Sequence, residues 1–234
     1  MADAFDREWE RQYAAGRALN RYPYDVVVSL TSRYFGGRDR SGLRVLDLGC
    51  GAGNHSLFFA RLGFEVTGID VSGSAIAVSR QRFADEGFVG TFHEMTFEDI
   101  GQLTSGFDLV LDRGALCCAD FDFVRGTVMP KLRTALKPDG VLFSWFLSSE
   151  NPLHRVGSEV PAGYTVQDVH LADGDAALRL TQLDQRGIES LFSEFDIVQL
   201  YHDRREELFV AAGEPALGVS AEYVVVCRQR RVGG

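Results

Sequence analysis

Residues 45–54 read Val-Leu-Asp-Leu-Gly-Cys-Gly-Ala-Gly-Asn, and residues 66–70 read Val-Thr-Gly-Ile-Asp. Val45, Leu46 and Leu48 form a short apolar run suited to a strand buried on both faces. Gly49, Gly51 and Gly53 follow; without a Cβ the backbone turns sharply there, and a ligand can lie almost against it. A helix is predicted from near Asn54 through Leu57, Phe58, Ala60 and Leu62, and Gly63 stops it. A second strand over 64–69 ends at Asp70, whose carboxylate is placed to accept both hydroxyls of a ribose. Strand, glycine turn, helix, strand and acid together are the layout for gripping a nucleoside on an open α/β sheet.

A nicotinamide dehydrogenase shares these parts, so two details carry the discrimination. The glycines are spaced Gly-x-Gly-x-Gly, with Asn54 where a dinucleotide fingerprint wants its third glycine. Asp47 lies two residues before the first glycine, facing the space where a diphosphate sits in such enzymes. Two like charges about 6 Å apart at an effective dielectric of about 20 repel by roughly 3 kcal/mol. A ligand with an ammonium and a sulfonium there is favoured instead, and S-adenosylmethionine is such a ligand.

Asp47-Leu-Gly49-Cys-Gly51-Ala-Gly53 resembles the first motif of class I S-adenosylmethionine-dependent methyltransferases, and the resemblance extends over roughly residues 40 to 147. It implies a Rossmann-like α/β fold: a seven-stranded, mostly parallel sheet, helices on both faces, and an antiparallel C-terminal edge strand. After the third strand, Glu94 would accept the adenine amino group while Met95 packs on the ring, with Glu98 or Asp99 as alternatives. The Asp112-Arg113-Gly-Ala-Leu116 run is similar to the segment of thiopurine and related small-molecule methyltransferases that lies beside the methionine portion. The resemblance thus gives Asp47, Gly49, Cys50, Gly51, Gly53, Asn54, Asp70, Val71, Glu94, Met95, Asp112, Arg113 and Tyr13 as the cofactor set. The segments typical of amino-nucleobase and protein-arginine methyltransferases are absent, which favours a small polar acceptor methylated on O, N or S. A nucleotide-dependent oxidoreductase and a catalytically silent cofactor-binding module remain the rival readings.

The chain's 234 residues suit a single domain. With 33 acidic against 24 basic residues, a net charge of −9 argues against nucleic acid as the main partner. The start Met-Ala-Asp-Ala is not a secretory signal, no apolar run is long enough for a membrane, and a cytoplasmic protein is expected. Cys50, Cys117, Cys118 and Cys227 show no metal spacing, so reduced thiols and no metal are expected.

Around the cofactor-binding core, 41–147, the expected parts are a helical lid over 1–40, a substrate-side insertion over 148–180, and a closing helix and hairpin over 181–234. In the lid, Phe5, Trp9 and Tyr13 recur at four-residue spacing over a helix 5–18, and a second helix covers 24–35. Further expectations are helix 72–86, strands 89–93 and 107–111, helix 122–136, a turn at Lys137-Pro-Asp-Gly140 and strand 141–147. Segments 164–171 and 176–180 flank a hairpin turn at Asp173-Gly174. Thr181 and Asp184 then cap a helix to about Phe195, with final strands 195–201 and 222–228. Arg17, Tyr22, Arg155 and Tyr164 are candidate substrate contacts, with Arg21 and His170 nearby. Where the acceptor needs a base near neutrality, His154 and His202 are the candidates, though for either the stronger reading is an ordinary exposed loop histidine. His55 reads as a helix-start residue.

Overall fold

The structure, a computed structural model, describes residues 4–151, 158–159, 165–170, 177–211 and 219–230; within these, the side chains of 4–6, 158–159, 165–170, 177–179 and 219 are not described. In chain order the elements are α1 (Ala4–Ala14), α2 (Asp25–Phe35), β1 (Arg44–Leu48), α3 (Asn54–Arg61), β2 (Glu65–Asp70), α4 (Gly73–Asp85) and β3 (Gly90–Glu94). There follow β4 (Phe107–Arg113), α5 (Phe121–Phe123), which runs through a π-turn at Val124–Val128 into α6 (Met129–Ala135), and β5 (Leu136–Ser148). The last part holds β6 (Ser158–Glu159), β7 (Thr165–His170), β8 (Ala177–Leu183), α7 (Gln185–Leu191), β9 (Phe195–Glu206) and β10 (Val219–Gln229).

The main sheet runs β3-β2-β1-β4-β5-β10-β9. The first five strands are mutually parallel, as strands joined by helical crossovers must be. β10 pairs antiparallel with both β5 and β9. The antiparallel strand of the closing hairpin therefore sits one place in from the edge, and β9 takes the edge itself. Chain order reverses beside β1: β2 lies on one flank and β4 on the other. That reversal opens a crevice at the carboxyl ends of the strands.

Alternate residues of each central strand feed two cores, one per sheet face. Val45, Leu109, Leu111, Val141 and Phe143 pack with Leu30, Phe35, Leu57, Phe59 and Ile76 from α2, α3 and α4. Leu46, Leu48, Val110, Leu142 and Phe146 face Met129, Leu132, Ile188 and Leu191 from α6 and α7.

Several sequence expectations shift. α1 ends at Ala14 rather than 18, because Gly16 turns into the left-handed region at φ 72°. The turn expected at 137–140 is an excursion inside β5: Leu136 pairs with Phe107 and Val141 with Leu109, so four residues oppose Asp108 alone. Lys137 secures it with its ammonium 2.8 Å from the Asp108 carboxylate. β8 runs on to Leu183, so Thr181 is a strand residue whose hydroxyl donates to the Ala119 carbonyl. Asp184 alone caps α7, accepting from the Gly187 N–H, and the helix stops at Leu191. The hairpin around Asp173-Gly174 pairs β7 with β8, the turn itself lying outside the described residues. β8 joins β5 at Leu147 and Ser148, beyond the last β4 pair at Arg113, and thus stands above the crevice end of the sheet. No helix among the described residues is long and apolar enough to cross a membrane.

Phe143 is fully buried in edge-to-face contact with Tyr34 and Phe35 of α2. Phe143→Ala is expected to destabilise the fold by about 3–5 kcal/mol, read from denaturant midpoints at constant slope.

Candidate active site

One cavity of about 580 Å³ occupies the crevice. Its wall includes Tyr13, Asp47, Gly49, Cys50, Gly51, Asn54, Asp70, Val71 and Arg113, all expected from sequence. Trp9, Tyr24, His55, the Thr96-Phe97-Glu98 segment, Gly114-Ala115, Cys118 and Phe123 complete most of it.

Asp70 ends β2 with its carboxylate buried, accepting from the Gly51 N–H and the Ser72 N–H, both at 2.9 Å. One side chain thus ties the glycine turn to the start of α4. Gly51 has φ 52°, and a Cβ built on it would lie 2.3 Å from the Tyr13 hydroxyl oxygen. The close approach that this glycine permits in the structure is to a tyrosine laid over the turn. Burial, with Asp70 as the next cause, keeps the Tyr13 phenol protonated far above its ordinary range.

Asp47 is buried and accepts from the Ser56 hydroxyl at 2.6 Å. Burial pushes its carboxyl up to about 7, with Asp70 adding to the rise and the Ser56 hydrogen bond opposing it. The anionic character expected at the bend is therefore conditional. Near neutral pH the group is poised between acid and carboxylate, and its power to repel a diphosphate is correspondingly reduced.

Asp112 is buried too and does not reach the cavity wall. It accepts from the Ala115 and Leu116 N–H groups and from the Ser144 hydroxyl, fixing the loop that forms the wall. Gly53 lies behind the turn as the N-cap of α3, packed on Ser79. Glu94 closes β3, exposed and beside Gly73; Met95 turns toward the core under α6. Their expected places on the wall fall to Thr96, Phe97 and Glu98, because the chain leaves the strand before it crosses the cavity.

The two catalytic histidine candidates separate. His202 lies on exposed β9, stacked on Tyr223 at 4.5 Å with Nε2 3.0 Å from the Ser148 hydroxyl. It borders a second hollow between α2 and β9 and not the main cavity. His154, Arg155 and Tyr164 lie outside the described residues. Arg17 and Tyr22 are exposed and off the wall; Tyr22 instead offers its carbonyl to the Asn54 amide. Tyr24, two residues on, takes the wall position, with its ring 5.5 Å from that of His55.

Sequence reading missed what holds the N-terminal cover in place. The Glu10 carboxylate accepts from the Ser72 and Ser74 hydroxyls at 2.6 Å and from the Ser74 N–H at 3.1 Å. Arg82 of α4 donates to the carbonyls of Leu19, Asn20 and Ala52, bridging the cover to the glycine turn. Neither contact leaves a local pattern, since the partners lie 30 to 64 residues apart.

A match to the family model described as "Methyltransferase domain" spans residues 39–179. Over 103 residues the chain is 35% identical to a ubiquinone biosynthesis O-methyltransferase of Sinorhizobium fredii, covering 44% of this chain and 40% of that protein. The chain thus spans about two-fifths of that relative. Among solved structures, an S-adenosylmethionine-dependent methyltransferase of Methanosarcina mazei superposes with a TM-score of 0.67 at 18% identity, covering 89% of this chain and 98% of that one. The Burkholderia thailandensis 1,6-didemethyltoxoflavin-N1-methyltransferase, solved with S-adenosylhomocysteine, gives 0.66 at 18% identity over 97% and 87%.

Two outcomes are expected. Gly51→Ala displaces Tyr13 and lowers the thermal midpoint, and adding Tyr13→Ala recovers part of the loss; no recovery means that the strain resides in the backbone alone. For Asp47, the folded group binds a proton that the unfolded chain has released above its ordinary 3.8, so stability falls as pH rises through about 4–7. Asp47→Asn, which keeps the Ser56 contact, is expected to flatten that slope in denaturation midpoints taken across this range. With the glycine turn, the buried acids and the sheet order in place, the chain belongs to the methyltransferase-domain family, of the class I S-adenosylmethionine-dependent kind.

Proposed function

We propose that the chain transfers a methyl group from S-adenosylmethionine to oxygen, nitrogen or sulfur of a small polar metabolite. The observation that carries this reading is the convergence of three strand ends on one cavity: Asp47 of β1 with the glycine turn, Asp70 of β2, and Arg113 of β4. Cavities of this size, mostly apolar with a few convergent polar groups, suit a nucleoside-sized ligand and a small co-substrate.

S-adenosylmethionine brings an activated methyl group, so the protein's work is alignment and exclusion of water. Asp70 is fixed by the Gly51 and Ser72 N–H groups at the end of β2 and lines the cavity, where its carboxylate is placed to meet ribose hydroxyls. Phe97 and Val71 offer apolar surface to an adenine, with Thr96 and Glu98 at its rim. Asp47 accepts the cationic end, and a nearby positive charge favours its ionised form. Affinity for the sulfonium ligand accordingly rises as pH passes upward through about 7. Trp9 and Tyr13, with rings 5.9 Å apart, shield the centre from bulk water.

Asp70→Ala is expected to weaken S-adenosylhomocysteine binding at least tenfold in titration calorimetry, since charge-assisted hydrogen bonds contribute about 1.5–3 kcal/mol each. An unchanged dissociation constant would remove the ribose assignment. In thermal-shift measurements S-adenosylhomocysteine raises the midpoint and NAD(P) does not; the reverse result supports an oxidoreductase.

A further inference from the structure

At the far side of the cavity from Asp70, a cation is held in a partly open setting. Arg113 closes β4, and its guanidinium carbon lies 4.3 Å from the Tyr24 ring centroid and 5.7 Å from that of Trp145. The two aromatic rings fix the plane of the group. Glu222 of β10 takes Nη2 alone, at 3.2 and 3.5 Å, and its own side chain is partly exposed. The Nε–H is buried and has no hydrogen-bond partner among the described residues. A guanidinium presents five N–H donors in a rigid fork, and a buried donor left unmatched is unfavourable. That Nε is sealed from the cavity, so the donors a ligand can reach on this cavity-lining side chain are the terminal ones that Glu222 leaves unused.

The neighbouring histidine does not compete. His55 is buried, and its Nε2 accepts from the Tyr24 N–H at 3.4 Å, so the ring's proton sits on the other nitrogen. Burial, with the Arg113 charge as a lesser cause, holds its pKa down to about 3. The ring stays uncharged, and among these wall groups the positive charge belongs to Arg113. The Tyr24 ring, which lines the cavity against Arg113, gives the same end an aromatic surface.

We propose that the methyl acceptor is an aromatic acid whose carboxylate docks on the donors of Arg113 that Glu222 leaves free. This rests on the methyl-transfer reading above and narrows its substrate class. A planar carboxylate matches the guanidinium fork, and a neutral isostere forfeits the charge-assisted bonds.

The test uses the full chain saturated with S-adenosylhomocysteine, titrated with benzoate and with benzamide as its uncharged counterpart. Benzoate is expected to bind about tenfold more tightly. Arg113→Met, checked for a cooperative melt, abolishes the preference. Glu222→Gln, which removes the competing carboxylate, tightens benzoate severalfold. Equal binding of the two probes, a preference that survives Arg113→Met, or a preference lost equally in Glu222→Gln would each overturn the proposal, the last by showing a purely structural ion pair. A protein that binds S-adenosylhomocysteine but shows no benzoate preference defeats this inference alone. One that does not bind S-adenosylhomocysteine defeats the methyl-transfer reading beneath it.

Discussion

The Asp70 carboxylate, accepting from the Gly51 and Ser72 N–H groups, is the contact through which the rest of the site is built. It couples two crossovers that the sheet topology would otherwise leave independent: the turn after β1 and the turn after β2. Gly51 carries Tyr13 over it, and its carbonyl accepts from the Ser79 hydroxyl of α4. Ser72 caps α4 by accepting from the Ala75 N–H, and donates its own proton to Glu10 of α1. A single buried acid therefore sets the glycine turn, the start of α4 and the seat of the N-terminal helix. Hydrogen bonds to an ionised group contribute more than neutral ones, and the run from the Ala75 N–H through the Ser72 hydroxyl to Glu10, in which the hydroxyl both accepts and donates, is cooperative.

α2 is held by the apolar face it packs on the sheet, but the seat of α1 and the segment after it follows from this arrangement. Their polar anchors, Glu10 and Arg82, attach them to α4 and to the glycine turn, the elements that Asp70 has already fixed. Ser72 and Ser74 hold the Glu10 carboxyl below its ordinary range, so its charge persists at any pH near neutral. Arg82 satisfies two carbonyls of the irregular segment after α1 and a third in the glycine turn, where unmatched carbonyls would otherwise weigh against closure. The result is a wall built from a distant part of the chain.

What could be read from the sequence divides along the same line between local and distant contacts. Val45 to Asn54 and Asp70 declare themselves because each role is local: a buried strand, a turn that needs glycine, an acid at a strand end. The parallel core and the closing hairpin follow from the order of apolar runs. The Lys137–Gly140 turn signal is real, yet the chain rejoins the same strand, since Val141 can still pair with Leu109 and Lys137 finds Asp108. Thr181 resembles a helix cap but pairs with Thr165, because the β7 hairpin competes for it. Glu94 and Met95 miss the wall by two residues and one because the third strand ends where the crevice begins. Glu10, Arg82 and Tyr24 act through partners remote in sequence, and His202 leaves the site because β9 lies at the sheet edge. Those outcomes are decided by topology and not by any local pattern.

Three buried acids stand at neighbouring strand ends, and their different donor sets give them different chemistry. Asp112 receives two backbone N–H groups and a hydroxyl, and spends them on shaping its own loop. Asp70 receives two backbone N–H groups from two separate turns. Asp47 receives its hydrogen bonds from Ser56, and it is the one driven up to about 7. Burial is the main cause of the rise at Asp47 and raises Asp112 as well, and the hydrogen bonds each receives oppose it. Arg113, across the cavity, is stabilised by aromatic faces and a single carboxylate. On the methyl-transfer reading proposed above, a cation bound beside Asp47 would favour its carboxylate, and binding would itself draw the proton off the acid.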